Sequence, residues 1–469
     1  MDTIPFVLLG EVLAVVFVIR VLGKGGSTAA TLNWLVLILV APWIGLLLYY
    51  LLPSRLSLRK LRRRTTKLAW IESSLDELAP PPGQVEGIHP LGRLLRSLDP
   101  DSVAFGNRVQ LVATGPRFFD QACAAIAAAR RFVHFETYIF RPDQTGLALL
   151  EVLVAAARRG VEVRLLYDSF GSFSLKSRHL AALRAAGGKA YAYMPILWRR
   201  RPFTLNLRLH RKLLVVDGEV AFTGGRNVGD EYARDRFGKA RTWWDTMVRI
   251  EGPAVPRLHR VFVEDWYNAV EEDLARREYF PEVGRADDDV VGIVASGPDQ
   301  RASHFHYVMV QLITMAERTI DLSSPYLIPN ETMLTVLRIA AKRGVRVRVH
   351  INGPAAAQWI LLRAGRYYSR QLLTDGVEVY ETQGDYNHSK TVLVDGKTLF
   401  VGSHNLDIRS GELNFELGVL IDRGPACAAA ARLFTERLAA GKRLDLAEIR
   451  RSSLTVFVEN VCRLLSPLL

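Results

Sequence analysis

The chain has 469 residues, 49% hydrophobic and 23% charged, with a net charge of +13; that length suits two or three ordinary domains and the composition excludes disorder of the whole chain. A mean hydropathy of +0.09 lies far below that of a polytopic transporter, which leaves a small apolar part joined to a larger globular one. Residues 1–67 hold nine basic and two acidic residues, so about half of the charge excess sits beside the apolar end, a placement that suits anionic lipid headgroups better than nucleic acid.

In chain order, the first apolar run covers residues 4–22 and is interrupted by Glu11 and Arg20. The second covers residues 32–52, 21 residues without a charge, and about 20 helical residues cross a bilayer core. Trp34, Trp43, Tyr49 and Tyr50 suit its interfaces. No basic residue precedes Arg20, so a cleaved leader is not expected. Arg55, Arg59, Lys60, Arg62, Arg63, Arg64 and Lys67 follow the second run, whereas the turn offers Lys24 and the flanking Arg20. By the positive-inside rule both ends, and the globular part with them, face the cytoplasm. Residues 1–67 thus read as a membrane hairpin with a basic juxtamembrane segment, and 68–104, with the Pro-rich stretch 79–83, as a linker. Cys123, Cys427 and Cys462 build neither a disulfide framework nor a CxxC metal site, which fits a reducing compartment.

Beyond the linker, strands alternate with Ala-rich helices, which predicts an α/β fold. The pattern occurs twice: RFVHFETYIF, a helix and RRGVEVRLLYD are echoed by RTIDLSSPYLIP, a helix and KRGVRVRVHIN. LHRKLLVVDGEVAFTGGRNVGD (209–230) then matches NHSKTVLVDGKTLFVGSHNLDI (387–408) without a gap. His210, Lys212, Asp217, Gly218, Phe222, Gly224 and Asn227 recur as His388, Lys390, Asp395, Gly396, Phe400, Gly402 and Asn405 at one offset of 178. The chain is an internal duplication, with halves at 105–285 and 286–445. Residues 446–469 follow as an amphipathic helix with apolar positions 454, 457, 458, 461, 464, 465 and 468. That stripe suits packing on the domain better than a membrane interface.

In a strand, alternate side chains share a face, so the His and Lys of each HxK stand roughly 7 Å apart on one side. The apolar runs LLVV and TVLV bury the strand, and the Asp-Gly pairs 217–218 and 395–396 read as hairpin turns. Two imidazoles, two ammoniums and two Asn amides suit an anionic phosphodiester. One neutral His attacks phosphorus while the other, protonated, serves the leaving alkoxide. No clustered carboxylates or thiols suggest a metal. A His that presents one ring nitrogen needs the other held, usually by a carboxylate. Asp245, 35 residues after His210, and Glu416, 28 after His388, are the candidates. Gly225 and Ser403, after the second strand of each cassette, are supporting positions.

These residues resemble the phospholipase D (HKD) superfamily, and within it the bacterial cardiolipin synthases. Both HxKxxxxDGxxxxxxG cassettes are intact, as are FTGGRNVGDEY, IEGPAV, SSPYLIP, SHNLDIRSGELNFE and RLLSPLL. The resemblance implies two α/β sandwich halves about a pseudo-twofold axis, one active site between them, and no metal or other cofactor. It implies His210 or His388 as nucleophile, with His210 favoured, and the other as general acid and base. Lys212, Lys390, Asn227 and Asn405 would bind the phosphoryl group, Asp217 and Asp395 complete the catalytic cassettes, and Asp245 and Glu416 orient the histidines. The implied reaction makes cardiolipin from two phosphatidylglycerols and releases glycerol, at the bacterial cytoplasmic membrane, with phosphatidylglycerol and other anionic phospholipids as partners. Oligomer formation stays open. Two departures are Asn387, where the family usually has an apolar residue, and GPAAAQWILLRAGRYYSRQLL in place of a polar loop.

Hydrolysis of the same lipid, transfer to another alcohol, nucleic-acid phosphodiesterase activity and an inactive scaffold are the alternatives. The hairpin and a net charge of +6 over the last 402 residues argue against nucleic acid. Trp198, Arg199, Arg200, Arg201 and Phe203 suit either headgroups or a solvated loop, His304 and His306 lack ligating neighbours in the sequence, and His404 adjoins the second cassette.

Overall fold

A computed structural model describes residues 4–22, 28–43, 45, 75, 90–194, 207–233, 243–300, 303–449 and 452–464. Two units emerge, residues 1–65 with 196–207 and residues 66–195 with 208–469. In the first, α1 (Ile4–Leu22) and α2 (Thr28–Val40) pack through Ala14, Phe17, Val21 and Ile38. Val12, Val15, Val16, Ile19, Val36 and Leu39 are each more than half exposed. No helix among the described residues is long and apolar enough to cross a membrane. The expected second span is described only in part, and the basic segment, the Pro-rich stretch and the Trp198–Phe203 positions lie outside the described residues.

The second unit is built on one continuous sheet. Its first half contributes β1 (Val103–Val112), β2 (Phe132–Thr137), β3 (Glu162–Asp168), β4 (Lys189–Tyr193), β5 (Arg208–Leu209), β6 (Leu213–Val216), β7 (Val220–Gly224), β8 (Trp243–Trp244) and β9 (Met247–Glu251). The second contributes β10 (Asp289–Ser296), β11 (Thr319–Ser323), β12 (Arg346–Ile351), β13 (Glu378–Glu381), β14 (Tyr386–Asn387), β15 (Thr391–Val394), β16 (Thr398–Gly402), β17 (Asn414–Asp422) and β18 (Lys442–Arg443). The spatial order β4-β3-β2-β6-β7-β9-β1 continues into β10-β17-β16-β15-β11-β12-β13-β18. Outward from the antiparallel β1–β10 seam seven strands of each half match in order, with β18 added at the edge of the second, so the sequence duplication has become a pseudo-twofold.

Helices cover the sheet, and its parallel strands β2 and β11 are accordingly buried almost throughout although only one face of each is apolar. In β2, Val133 and Phe135 face α4 (Gly115–Ala128) and α5 (Gln144–Arg158) in one core. The intervening His134 faces away and meets His259 of α7 (Ala254–Val270) at 2.7 Å; the short α6 (Ala181–Ala185) precedes β4. The second core joins α8 (His304–Thr314), α9 (Glu331–Lys342) and α10 (Trp359–Thr374) to β11 and β12. The segment noted as a departure is therefore largely helix α10. Within the span read as linker, α3 (Pro90–Leu98) inserts Leu91 and Leu95 into that second core. The remaining helices are α11 (Ile408–Glu412), α12 (Pro425–Ala439) and α13 (Ser453–Leu464). α13 buries Glu459 and Cys462 and leaves Leu454, Phe457 and Leu464 exposed.

The Asp-Gly pairs do form the turns joining β6 to β7 and β15 to β16, with φ of 55° and 72° in one and 53° and 67° in the other. The aspartates expected among the catalytic residues are elsewhere. Asp217 accepts hydrogen bonds from the backbone N–H groups of Arg130, Arg131 and Phe132 at 2.8, 2.8 and 2.9 Å. Asp395 does the same for Glu317, Arg318 and Thr319 at 3.0, 2.7 and 2.8 Å. Five residues of extended chain, roughly 16 Å, separate each from the cassette lysine. They clamp the start of β2 and β11 against the hairpin. Asp217→Ala is expected to lower stability by about 3 kcal/mol, read as a lower urea midpoint. Burial opposes ionisation of Asp395, yet the three N–H donors hold its carboxyl below the ordinary value of 3.8, so its contribution is present at neutral pH and lost on acidification through that range.

Candidate active site

The site lies where the two halves exchange short strands. β5 pairs with β17, matching Arg208 with Asn414 and Leu209 with Phe415, and β14 pairs with β8, matching Tyr386 with Trp243 and Asn387 with Trp244. The next N–H after each pairing continues it: His210 donates to Phe415 O at 2.8 Å and His388 to Trp244 O at 2.7 Å. Each cassette histidine is thereby tied to the other half.

The side chains cross in the same way. His210 Nδ1 lies 2.9 and 2.8 Å from the two carboxylate oxygens of Glu416, and His388 Nδ1 lies 2.6 Å from Asp245 Oδ2. Each carboxylate serves the histidine of the opposite repeat, not the one that precedes it in sequence. With Nδ1 engaged, Nε2 of both histidines has no partner among the described residues and is the atom left for chemistry. Thr246 and Ser389 hydroxyls, 2.7 Å apart, add another bond between the halves.

The carboxylates are themselves held. Glu416 accepts from Asn414 Nδ2 at 3.2 Å and from the Ser403 hydroxyl, whose oxygen in turn accepts the Leu417 N–H. Asp245 Oδ1 accepts the Thr246 N–H at 2.7 Å. Burial alone would raise both carboxyls. Lys390 and His388 instead hold Asp245 at about 2, and His210, His404 and Lys212 hold Glu416 at about 2. Both are anionic at neutral pH.

Burial dominates the bases. It lowers His210 to about 4 and His388 to about 3 despite their carboxylates, so both imidazoles are neutral at neutral pH. Lys212 and Lys390 fall to about 7 and about 8 for the same reason, partly offset by Glu416 and Asp245. Lys212 acts electrostatically on His388 and Lys390 on His210, which makes the two cassettes one electrostatic site. Lys390 Nζ is 2.8 Å from His388 Nδ1, and Lys212 Nζ donates to the His210 carbonyl.

Gly225 has a steric reason to be glycine: a Cβ there would overlap Asp245 Oδ1 and come within 3.1 Å of Lys390 Cδ. The two asparagines diverge. Asn227 spends its amide inside the protein, accepting from Ile139 N–H at 3.2 Å and donating to the Tyr232 hydroxyl at 2.8 Å. Asn405 keeps a buried Oδ1 without a partner. His404 does not join the cassette: its ring stacks on Phe305 at 3.8 Å and its Nε2 meets Ser296 Oγ at 2.6 Å. Asn387, the polar departure, is fully buried and bonds Ser323, Ser324, His350 and Ser389, which fixes the entry to the second cassette.

Aromatic walls were not legible as site residues. Tyr138 packs at 4.9 Å on His210, while Tyr232 and Trp243 pack at 5.3 and 5.6 Å on His388. The available signals were position alone: Tyr138 lies in FETYIF within the first repeat unit, Tyr232 ends FTGGRNVGDEY and Trp243 stands two residues before Asp245. Beneath the first cassette, Arg211 bonds Asp265 at 2.6 Å, a buried ion pair that also went unread.

The chain is similar to known proteins over almost its whole length. A family model described as cardiolipin synthase, PLD-like domain, matches residues 122–266 and 309–438. A cardiolipin synthase of Geobacillus kaustophilus (strain HTA426) is 34% identical over 97% of this chain and 92% of its own. One from Halalkalibacterium halodurans is 33% identical over 94% of this chain and 89% of its own. The crystal structure of phosphatidylserine synthase from Haemophilus influenzae Rd KW20 superposes with a TM-score of 0.63 at 14% identity, covering 81% of this chain and 100% of that one, a likeness of fold.

Two outcomes test this geometry. Gly225→Ala should lower turnover about a hundredfold with the unfolding transition retained, because it displaces Asp245 from His388. In the unfolded chain both imidazoles titrate near 6.5, whereas in the fold they do so near 4 and 3. The unfolded state therefore binds more protons between those values, and acidification from pH 6.5 towards 4 should destabilise the protein. His388→Ala should flatten that dependence in a pH series of denaturant midpoints.

Proposed function

The chain belongs to the cardiolipin synthase, PLD-like family, and from that membership we propose a phosphatidyltransferase that joins two phosphatidylglycerols into cardiolipin and releases glycerol through a phosphohistidine. The observation that carries the reading is the crossed pair of carboxylate–imidazole bonds, which leaves two Nε2 atoms free in one buried site.

His210 is the better nucleophile, since both oxygens of Glu416 fix its ring and Ser403 and Asn414 fix Glu416. Its Nε2 bonds to phosphorus as the bond from phosphorus to the glycerol oxygen breaks. His388 gives that oxygen a proton, which it can carry because the bound phosphodiester anion raises imidazole basicity in the occupied site. Lys212 and Lys390 neutralise the phosphoryl oxygens, with an N–H of the Asn405 side chain as a further donor. The acceptor hydroxyl then yields its proton to His388 and attacks phosphorus, and the bond from phosphorus to His210 breaks. One phosphodiester replaces another, so no anhydride is consumed.

Transfer outcompetes hydrolysis when a lipid alcohol reaches the intermediate before water. The outward apolar side chains of α1 and α2 support a hairpin that keeps the enzyme at a bilayer, with the catalytic unit on the cytoplasmic side of a bacterial inner membrane.

Purified protein with phosphatidylglycerol vesicles should release glycerol and form cardiolipin, as read by lipid mass analysis; phosphatidic acid as main product would replace transfer by hydrolysis. His210→Ala and His388→Ala should each lower turnover by about 10⁴ or more. Near-normal turnover in either would refute the shared site.

A further inference from the structure

A cavity of about 260 Å³ opens in the catalytic unit beside the first turn of α4 and the last turns of α12, lined among others by Thr114, Tyr232, Trp243, Trp244, Leu433 and Arg437. The reaction above uses none of them. Arg437 is only 7% exposed, yet among the described residues it has no hydrogen bond and no ion pair; its guanidinium lies 5.8 Å from the centroid of the Trp244 ring. Its nitrogens are not among the fully buried polar atoms, so what access they keep is towards the cavity it lines, and a guanidinium with so little water and no acceptor in the protein is poorly solvated unless something in that space supplies one.

The same cavity is lined by the start of α4. Thr114 is its N-cap but makes no side-chain capping bond, and Gly115 and Pro116 follow it on the cavity wall. Pro116 has no N–H and the Phe118 N–H is spent on Thr114 O at 3.1 Å, so this turn offers the Gly115 and Arg117 N–H groups and the positive end of a helix dipole. Two separate elements thus turn positive potential into one space. Glu436, the one carboxylate on its lining, is exposed and does not pair with Arg437. The other walls are mostly apolar, from Pro116, Trp243, Trp244 and Leu433. An anion with an apolar appendage fits such a space, and the volume suits a headgroup without its acyl chains.

Position narrows the occupant. Trp243 packs 5.6 Å from the His388 ring, and Trp244 gives its carbonyl to the His388 N–H. The cavity is therefore one aromatic layer from a reacting imidazole. Joining two anionic lipids brings a second phosphodiester towards the first, whose charge already engages Lys212 and Lys390. Without another cation the acceptor would be repelled.

We infer that this cavity binds the phosphodiester of the acceptor phospholipid, with Arg437 as its counter-ion and the first turn of α4 as a second donor. The assignment rests on the phosphatidyltransferase reading.

The test follows both products in phosphatidylglycerol vesicles with the full-length enzyme. Arg437→Met should lower the ratio of cardiolipin to phosphatidic acid about tenfold, since the intermediate then meets water more often than a lipid alcohol, and Arg437→Lys should restore part of it. A structural defect would reduce both products together; an unchanged ratio in Arg437→Met overturns the inference. In a second arm, dihexanoyl-phosphatidylglycerol is titrated into His210→Ala protein by calorimetry. Two equivalents should bind, and one in the double variant with Arg437→Met; equal stoichiometry in the two overturns it. Inorganic phosphate that occupies the Arg437-dependent site more tightly than the lipid overturns the lipid assignment in favour of free phosphate. If unaltered enzyme released no glycerol, the transferase reading would fall, while the titration would still decide whether the cavity takes a phosphodiester.

Discussion

Everything at the centre of this protein depends on a buried imidazole in one half meeting a carboxylate from the other. His210 with Glu416 and His388 with Asp245 make the site and the interface the same object. Neither half can complete its own catalytic histidine. The backbone repeats the exchange, since β5 pairs with β17 and β14 with β8 immediately before each histidine. A displacement of one half against the other would break pairing, orientation and charge balance together.

Burial sets the chemistry of those groups. Removed from water, the imidazoles lose basicity more than their carboxylates restore it, and the lysines approach neutrality. Such a site suits an anion, because a phosphodiester supplies the negative charge that would make protonated lysine and histidine favourable again. The fixed carboxylates engage Nδ1 of both histidines, which leaves Nε2 as the atom available for proton transfer or bond formation. Arg437 extends the same logic outward: it is another buried cation, with no hydrogen bond or ion pair among the described residues, on which Asp245 and Glu436 act only through space.

The scaffold achieves this with repeated parts put to unequal use. Asp217 and Asp395 clamp equivalent strand starts at the far end of each cassette, and Gly225 yields space for Asp245. The repeats differ where they can. Asn227 is satisfied within the protein whereas Asn405 keeps an unpaired Oδ1, and Asn387 replaces an apolar contact by a closed set of hydrogen bonds.

Much of this was legible in one dimension. The offset of 178 between cassettes, the strand alternation that puts His and Lys on one face, and the Asp-Gly turns each rest on local periodicity, which a sequence states outright. The two orienting carboxylates were identifiable by type and place. Which histidine each one serves was not, because residues 206 and 143 positions apart meet only through the sheet order. The same holds for the aromatic walls, the burial that shifts every titratable group, and the removal of both cassette aspartates to the opposite end of their strands. Repetition and spacing determined what groups the chain carries and that it carries them twice; long-range pairing across the pseudo-twofold decided their partners and solvation, since contact and desolvation are properties of space that sequence distance does not measure.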